Sequence, residues 1–315
     1  MTGKHRFLMR LSVGTGVAAL VVAGWKMAMS PSEPAGSAKP LARATPAVRQ
    51  SAAGVDQMLA VLARGGTTLE REEAIGFLDT IARGRTGLPK DQRAALLAAL
   101  ERGTPAGMAE GSWFHLFNSA CNALAVAQAA GDETLLGLLE RVALTDSRLV
   151  MRLYALQHIG RHYAAACAAT RQRLRSLVQR LLTDPSSQAA GAALVLWRSW
   201  ESAAGPGDMS SLDLSRAIAA DAGRPVDVRV TALHAIGDDP AVLDLARSIA
   251  QDRIQPVILR KAALNLIGRH GGPQDLTVLN LCSRESQRLA QAGEPAARAL
   301  KDRLAGIPQP VLHPY

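Results

Sequence analysis

Apolar residues along most of this chain recur every three or four positions, which places them on one side of a helix. The stretch Val228-Arg-Val-Thr-Ala-Leu-His-Ala-Ile-Gly237 has this pattern, and it returns 31 residues later as Leu259-Arg-Lys-Ala-Ala-Leu-Asn-Leu-Ile-Gly268. In the second copy Leu259, Ala263, Leu264, Leu266 and Ile267 make one apolar stripe, and Gly268 is expected to end the helix. A third copy is Met151-Arg-Leu-Tyr-Ala-Leu-Gln-His-Ile-Gly160, and a weaker one is Ala189-Ala-Gly-Ala-Ala-Leu-Val-Leu-Trp-Arg198. Aligned on their Ala-Leu pairs, Ala123, Ala155, Ala193, Ala232, Ala263 and Ala299 form a column with steps of 32, 38, 39, 31 and 36 residues. A period in the mid thirties predicts a stack of repeats.

A second amphipathic segment precedes each Ala-Leu segment, as in Leu135-Leu-Gly-Leu-Leu-Glu-Arg-Val-Ala143 and Ala241-Val-Leu-Asp-Leu-Ala-Arg-Ser-Ile-Ala250, so each unit is a helical hairpin. Seven hairpins can be drawn. The first pairs Val55 to Arg64 with Glu70 to Arg83, and Thr67-Thr-Leu-Glu70 reads as a capping box at its turn. The next pairs Pro89 to Glu101 with Ser112 to Ala130, and the rest follow the column. Glycine and proline gather at joints such as Gly65-Gly66, Gly205-Pro-Gly207 and Gly271-Gly-Pro273, and no alternating strand pattern is found.

The run Arg224-Pro-Val-Asp-Val-Arg-Val-Thr-Ala-Leu-His-Ala-Ile-Gly-Asp-Asp-Pro240 closely resembles the HEAT repeat, as do the copies from Asp146 to Gly160 and Asp252 to Gly268. The resemblance covers roughly residues 51–306 and implies an all-α fold, a right-handed α-solenoid of about six to seven HEAT-like hairpins. It also implies a ladder between neighbouring units in which Asp146, Asp184 and Asp252 meet Arg152, Arg229 and Arg260, although the fourth unit has Ala190 where the arginine belongs. HEAT arrays serve unrelated partners, so the resemblance carries architecture further than function.

The first 29 residues differ. Lys4, His5, Arg6 and Arg10 precede a charge-free run from Leu11 to Trp25 closed by Lys26, which reads as an export signal. Two readings are open. A cleavable signal has small residues at Ala28 and Ser30, but Pro31 directly after them favours an uncleaved anchor, with Arg10 and Lys26 snorkelling to complete the span. The basic flank places the N-terminus in the cytoplasm and the repeats outside, in the periplasm or beyond, or secreted if the signal is cut. Residues 30–50 hold Pro31, Pro34, Pro40 and Pro46 and read as a semi-rigid linker, and the proline-rich tail 307–315 cannot be helical.

A net charge of +9 suggests nucleic acid until the charge is located. Residues 1–50 hold seven Lys or Arg and one acid, whereas residues 51–315 hold 29 and 26, leaving the repeats at +3. A nucleic-acid footprint needs a basic stripe along the array, so nucleic acid is not expected as a partner. One local exception lies between Ser147 and Thr183, where Arg148, Arg152, Arg161, Arg171, Arg173, Arg175 and Arg180 occur without an acid. Within it Arg171, Arg173, Arg175 and Arg180 are the candidate partner-binding residues, facing an acidic protein, anionic headgroups or a cell-wall polyanion. The bland reading of the same run is a solvated helix face with Leu174, Leu177, Val178 and Leu181 as its buried side.

Other residues lead to packing rather than chemistry. His158 and His162 stand one helical turn apart, but no His is followed by Glu, and Arg161-His162 resembles Arg269-His270, which makes His162 a repeat-turn residue. Cys121, Cys167 and Cys282 lie far apart in apolar contexts and are expected to be buried thiols, with one disulfide among them left open. Trp113-Phe-His-Leu-Phe117 and Trp197-Arg-Ser-Trp200 hold five of eleven aromatics, expected to fill the core. No catalytic constellation, cofactor motif or metal motif stands out, and no small-molecule substrate is implied. The reading is an exported, membrane-tethered scaffold that binds another protein. Its alternative is a HEAT-like enzyme of the DNA glycosylase or chromophore-lyase kind.

Overall fold

The computed structural model describes residues 52–84, 87–126, 133–201, 210–236 and 242–307. The apolar stretch and linker that open the chain lie outside the described residues, as does the tail beyond Ile307. Among the described residues there are fourteen helices and no strand, so the fold is all-α. No helix among them is long and apolar enough to cross a membrane. The chain divides into two compact units, one ending at Leu174 and the other beginning at Arg175.

The first unit contains α1 (Ala52–Arg64), α2 (Thr68–Gly84), α3 (Lys90–Glu101), α4 (Glu110–Val126), α5 (Glu133–Thr145), α6 (Leu149–Tyr163) and the start of α7 (Ala168–Thr183). Helices pack in sequential pairs, α1 on α2, α3 on α4 and α5 on α6. Each also packs on the helix two further along, which gives one layer of α1, α3 and α5 and another of α2, α4 and α6. The second unit holds the rest of α7 with α8 (Ala190–Glu201), α9 (Ser211–Ala220), α10 (Val226–Ile236), α11 (Leu243–Gln251), α12 (Val257–His270), α13 (Asp275–Glu285) and α14 (Gln287–Leu304). The same rule holds there, with α8, α10, α12 and α14 in one layer and α11 beside α13 in the other.

The Ala-Leu column marks the buried side of the even-numbered helices. Ala123, Ala155, Ala193, Ala232 and Ala263 are all 0% exposed, and so are the leucines that follow them. The sixth member departs: Ala299 is only half-buried, while Ala296, one turn earlier, is buried. The cause is Gly268. It does not end its helix, which runs on to His270. A Cβ added at Gly268 would come within 2.7 Å of the Ala296 Cβ and 2.8 Å of its Cα, so glycine is needed for the close approach of α12 and α14, and that contact sets the phase of α14.

Four of the turns inside the hairpins share one device. Asp146, Asp184, Asp221 and Asp252 each accept a hydrogen bond from the amide two residues on, at 2.8 to 2.9 Å, in Asx turns that end the first helix. Capturing Gly223 N and Ile254 N deprives the carbonyls of Ala219 and Ala250 of the amides that would have continued the helix. An arginine from the second helix replaces them: Arg229 Nε donates to Ala219 O at 3.0 Å and Arg260 Nε to Ala250 O at 2.8 Å. Arg152 Nε likewise donates to a carbonyl near the end of its first helix, Ala143 O at 2.9 Å, one residue further from its aspartate. The fourth hairpin, with Ala190 at the arginine position, receives its donor from the next hairpin, whose Arg224 gives Nη2 to Leu182 O at 2.8 Å and Nη1 to Asp184 O at 3.0 Å. In the first unit Arg148 likewise reaches back to the Thr104 hydroxyl. Arg148 and Arg224 thus reach from one unit of the repeat to the one before, whereas Arg152 and Arg229 close their own hairpins and Arg260 does both, its Nη2 also donating to Glu285 of α13 at 2.9 Å.

Two further contacts fix helix ends. At α2, Thr67 N donates to Glu70 Oε2 at 2.6 Å and Glu70 N to Thr67 Oγ1 at 3.3 Å, the reciprocal capping box. Asp275, 1% exposed at the start of α13, accepts both Arg247 Nε at 2.7 Å and Arg247 Nη2 at 2.9 Å, tying α11 to α13.

Two stability measurements follow. Arg229→Met keeps the buried stem and strips the donor from Ala219 O, so urea unfolding should show a loss of about 1–3 kcal/mol, the cost of an unsatisfied buried acceptor. The exposed Arg288→Met should stay within about 0.5 kcal/mol; equal effects would remove the carbonyl-capping role. Gly268→Ala should destabilise by about 1–3 kcal/mol through overpacking, although alanine is the better helix former. Gly137→Ala, with nothing within 4 Å of its new Cβ, should instead gain up to about 1 kcal/mol. A gain at both positions would mean that α12 and α14 do not meet at Gly268.

Candidate functional site

The candidate arginines all lie on α7, where Leu174, Leu177, Val178 and Leu181 form the buried side. Their surroundings differ. Arg173, in the first unit, donates Nη2 to Glu133 at 2.6 Å and Nε to Glu140 at 2.8 Å, both carboxylates coming from α5. The Thr170 hydroxyl and then Arg173 hold the Glu133 carboxyl below its ordinary value. In the second unit, Arg175 is half-buried with its guanidinium 5.5 Å from the centre of the Trp197 ring, a cation–π contact. Arg171 and Arg180 are exposed. The acid-free run is therefore not acid-free in space around Arg173, which is exposed like Arg171 and Arg180 but is paired with two carboxylates.

Sequence reading missed a polar seam between α4 and α6. Asn118 and Asn122 stand one turn apart on α4. Opposite them, His158 Nε2 meets Asn118 Oδ1 at 3.0 Å and Arg161 donates to Asn122 Oδ1. His158 is 0% exposed, and burial first, then the nearby Arg161 and His162, push its pKa down to about 3. The ring is accordingly neutral throughout the physiological range, with its Nε2 proton assigned by the Asn118 acceptor. It has no route to exchange protons with a substrate in solution. His162 is buried within α6 and is not a turn residue. The i, i+4 spacing of asparagines on one helix and the matching His-x-x-Arg on the next was the available signal, legible only once the pairing of the two helices is known.

The thiols divide. Cys121 and Cys282 are buried, and burial pushes both above the ordinary thiol range. Cys167 is exposed, in the turn that precedes α7, which has neither glycine nor proline to mark it in the sequence. Its Sγ lies 3.2 Å from Thr170 Oγ1, and that contact lowers its pKa. All three thiols are free. Among the described residues no group of three His, Cys, Asp or Glu is placed to hold a metal ion.

A crevice of about 140 Å³ opens between the α3–α4 and α5–α6 hairpins. Trp113, Phe117, Leu138 and Met151 form its apolar floor, each 3% exposed or less. The Glu101–Arg141 and Asp146–Arg148 ion pairs, at 2.9 and 2.8 Å, stand at its walls. Trp113 and Phe117 thus serve as core, along with Trp197 and Trp200 in the second unit.

The neutral His158 makes stability depend on pH. Below the ordinary histidine value of 6.5 the unfolded chain takes up a proton that the folded ring accepts only near 3. The contribution is complete above pH 6.5 and is lost as pH falls, by at most about 1.4 kcal/mol per pH unit for one proton. Replacing both partners, Asn118→Leu with His158→Leu, should remove this part of the slope in melts between pH 4.5 and 7. An unchanged slope would mean that the folded ring titrates normally.

In comparisons with protein-family models, curated proteins and solved structures the chain has no match.

Proposed function

We propose that the chain is an exported, membrane-tethered scaffold whose hairpins stack as a HEAT-like α-solenoid and present a docking surface to a protein partner. The observation that carries this reading is the regular two-layer packing within each unit. Bonds between layer neighbours join residues about one repeat apart: Arg141 and Glu101 by 40, Arg161 and Asn122 by 39, Lys261 and Gln291 by 30, Cys282 and Ala250 by 32. A stack in which each hairpin touches only its neighbours exposes long faces and suits extended protein contacts. The +3 balance of residues 51–315 favours a protein over nucleic acid. Export rests on the Lys4-to-Arg10 flank and the Leu11-to-Trp25 run.

Two measurements test the reading. An export-dependent reporter fused after Gly54 is expected to be active; activity only of a cytoplasmic reporter would overturn the localisation. If α7 meets the partner, Arg171→Gln with Arg180→Gln should leave the melting temperature within error, because exposed charges contribute little to stability. Envelope crosslinking to the partner should fall in that variant, and for wild type as salt shortens the screening length from about 8 Å at physiological ionic strength. Unchanged crosslinking at low salt would move the docking face away from α7.

A further inference from the structure

The α11–α12 turn differs from its sister turns at the residues its geometry pushes outward. In each Asx turn the residue two after the aspartate gives up its amide and stands at the apex. In the second unit this residue is Ser186, Gly223 and Ile254. Ser186 and Gly223 are exposed and polar or small, as expected, but Ile254 is an aliphatic side chain 92% exposed. Four residues on, where the α9–α10 hairpin has the exposed Asp227, this hairpin has Ile258, 43% exposed, with Val257 beside it at 36%. Among the described residues seven large apolar side chains are exposed, and these three form the largest group of them within a few positions of one another.

The chemistry around them decides what they meet. Arg253 adjoins Ile254 and its side chain is 80% exposed, with only a 3.7 Å contact to Glu285. Lys261 follows Ile258 by one turn. Of the nearby acids, Asp252 is occupied by Ile254 N and Gln255, and Glu285 by the buried Arg260 at 2.9 Å. An apolar tip with cations on its flanks is the pattern of a peripheral contact with anionic lipid: aliphatic groups enter the boundary of the acyl chains and basic groups stay at the phosphates. A second copy of the chain fits less well. Three partly exposed side chains offer at most a few hundred Å², far below the roughly 800 Å² a side of a standard interface. They also form a projection at the end of a hairpin, suited to a soft surface.

We infer that Ile254, Val257 and Ile258, flanked by Arg253 and Lys261, form a peripheral membrane contact by which the repeat domain lies against an anionic lipid surface. This rests on the tethered reading, since the Leu11-to-Trp25 run would hold the domain near a bilayer. The tip adds a weak second attachment that fixes which edge faces the lipid. Its anionic preference follows from the two flanking cations and weakens as salt screens them.

The test uses the full chain with Cys167→Ser, so that a nitrobenzoxadiazole probe attaches only at Ile254→Cys, Cys121 and Cys282 being 0% and 2% exposed. The chain is mixed with vesicles of equal parts phosphatidylcholine and phosphatidylglycerol, or of phosphatidylcholine alone, and vesicle flotation and probe emission are read together. Flotation with a blue shift and increased emission on the mixed vesicles, diminished on phosphatidylcholine and at high salt, is the expected result. Adding Arg253→Glu and Ile258→Asp should abolish the shift while flotation persists. Flotation with emission unchanged from that in water overturns the contact and leaves the tether standing. Absence of flotation overturns both, and an equal shift on both vesicle types overturns the anionic assignment.

Discussion

The carbonyl oxygens of Leu182, Ala219 and Ala250 govern how these hairpins close. Each lies two residues before an aspartate that captures the next available amide, so each would be left without its helical donor at the point where the chain turns back. Supplying a guanidinium solves this, but at a cost, because a buried arginine must be desolvated. The charge is tolerated where its hydrogen bonds are made, as at Arg229 and Arg260, both 4% exposed. The aspartate and arginine therefore act as one device without having to touch each other. The carboxylate stops the first helix, and the arginine makes that stop compatible with burial by the second. Where Ala190 removes the arginine, the same carbonyl is satisfied by Arg224 from the next hairpin. The requirement belongs to the carbonyl, and more than one sequence position can meet it.

This explains which parts of the fold were legible in the sequence. Helix, hairpin and buried face follow from local periodicity, and five of the six alanines in the Ala-Leu column are buried because each sits at the same height on its helix. The capping box at Thr67 and Glu70 was legible for the same reason: both partners lie within one turn. What failed was phase and partnership. The phase of α14 is set by a glycine 28 residues before Ala296, through a contact that no pattern within α14 encodes. The exposure of Cys167 was hidden because the preceding turn is built from Tyr163, alanines and backbone bonds such as Ala166 N to Tyr163 O, with no residue that breaks a helix.

The surroundings of the arginine-rich segment were not legible in the sequence for a related reason. A run without acids describes neighbours along the chain, but in a stack of hairpins the neighbours in space are about one period away. Glu133 and Glu140, 40 and 33 residues before Arg173, supply the anions that the run lacks. Such pairs are exposed and contribute little to stability, yet they change what a partner meets. The same logic applies to the seam between Asn118, Asn122, His158 and Arg161. It is buried enough to hold a histidine neutral, and each of its residues looks unremarkable in its own helix.

The Asx turn also fixes where the sequence is free to vary. At this position Arg148 turns back to Asp146 and Thr104 and the Ser186 hydroxyl donates to Asp184, whereas the Ile254 side chain, 92% exposed, is held by nothing in the fold. Serine and glycine at this apex, in Ser186 and Gly223, leave the turn solvated. Isoleucine at 254 keeps the same backbone bond, 2.9 Å from amide to carboxylate, and changes only what faces outward. The turn gains nothing in stability from an aliphatic group held in water, since the hydrophobic contribution appears only when that surface is covered. An apex position that the fold leaves unconstrained, filled by a residue whose free energy falls only on contact with another phase or molecule, separates an interaction feature from a structural one without reference to the rest of the array.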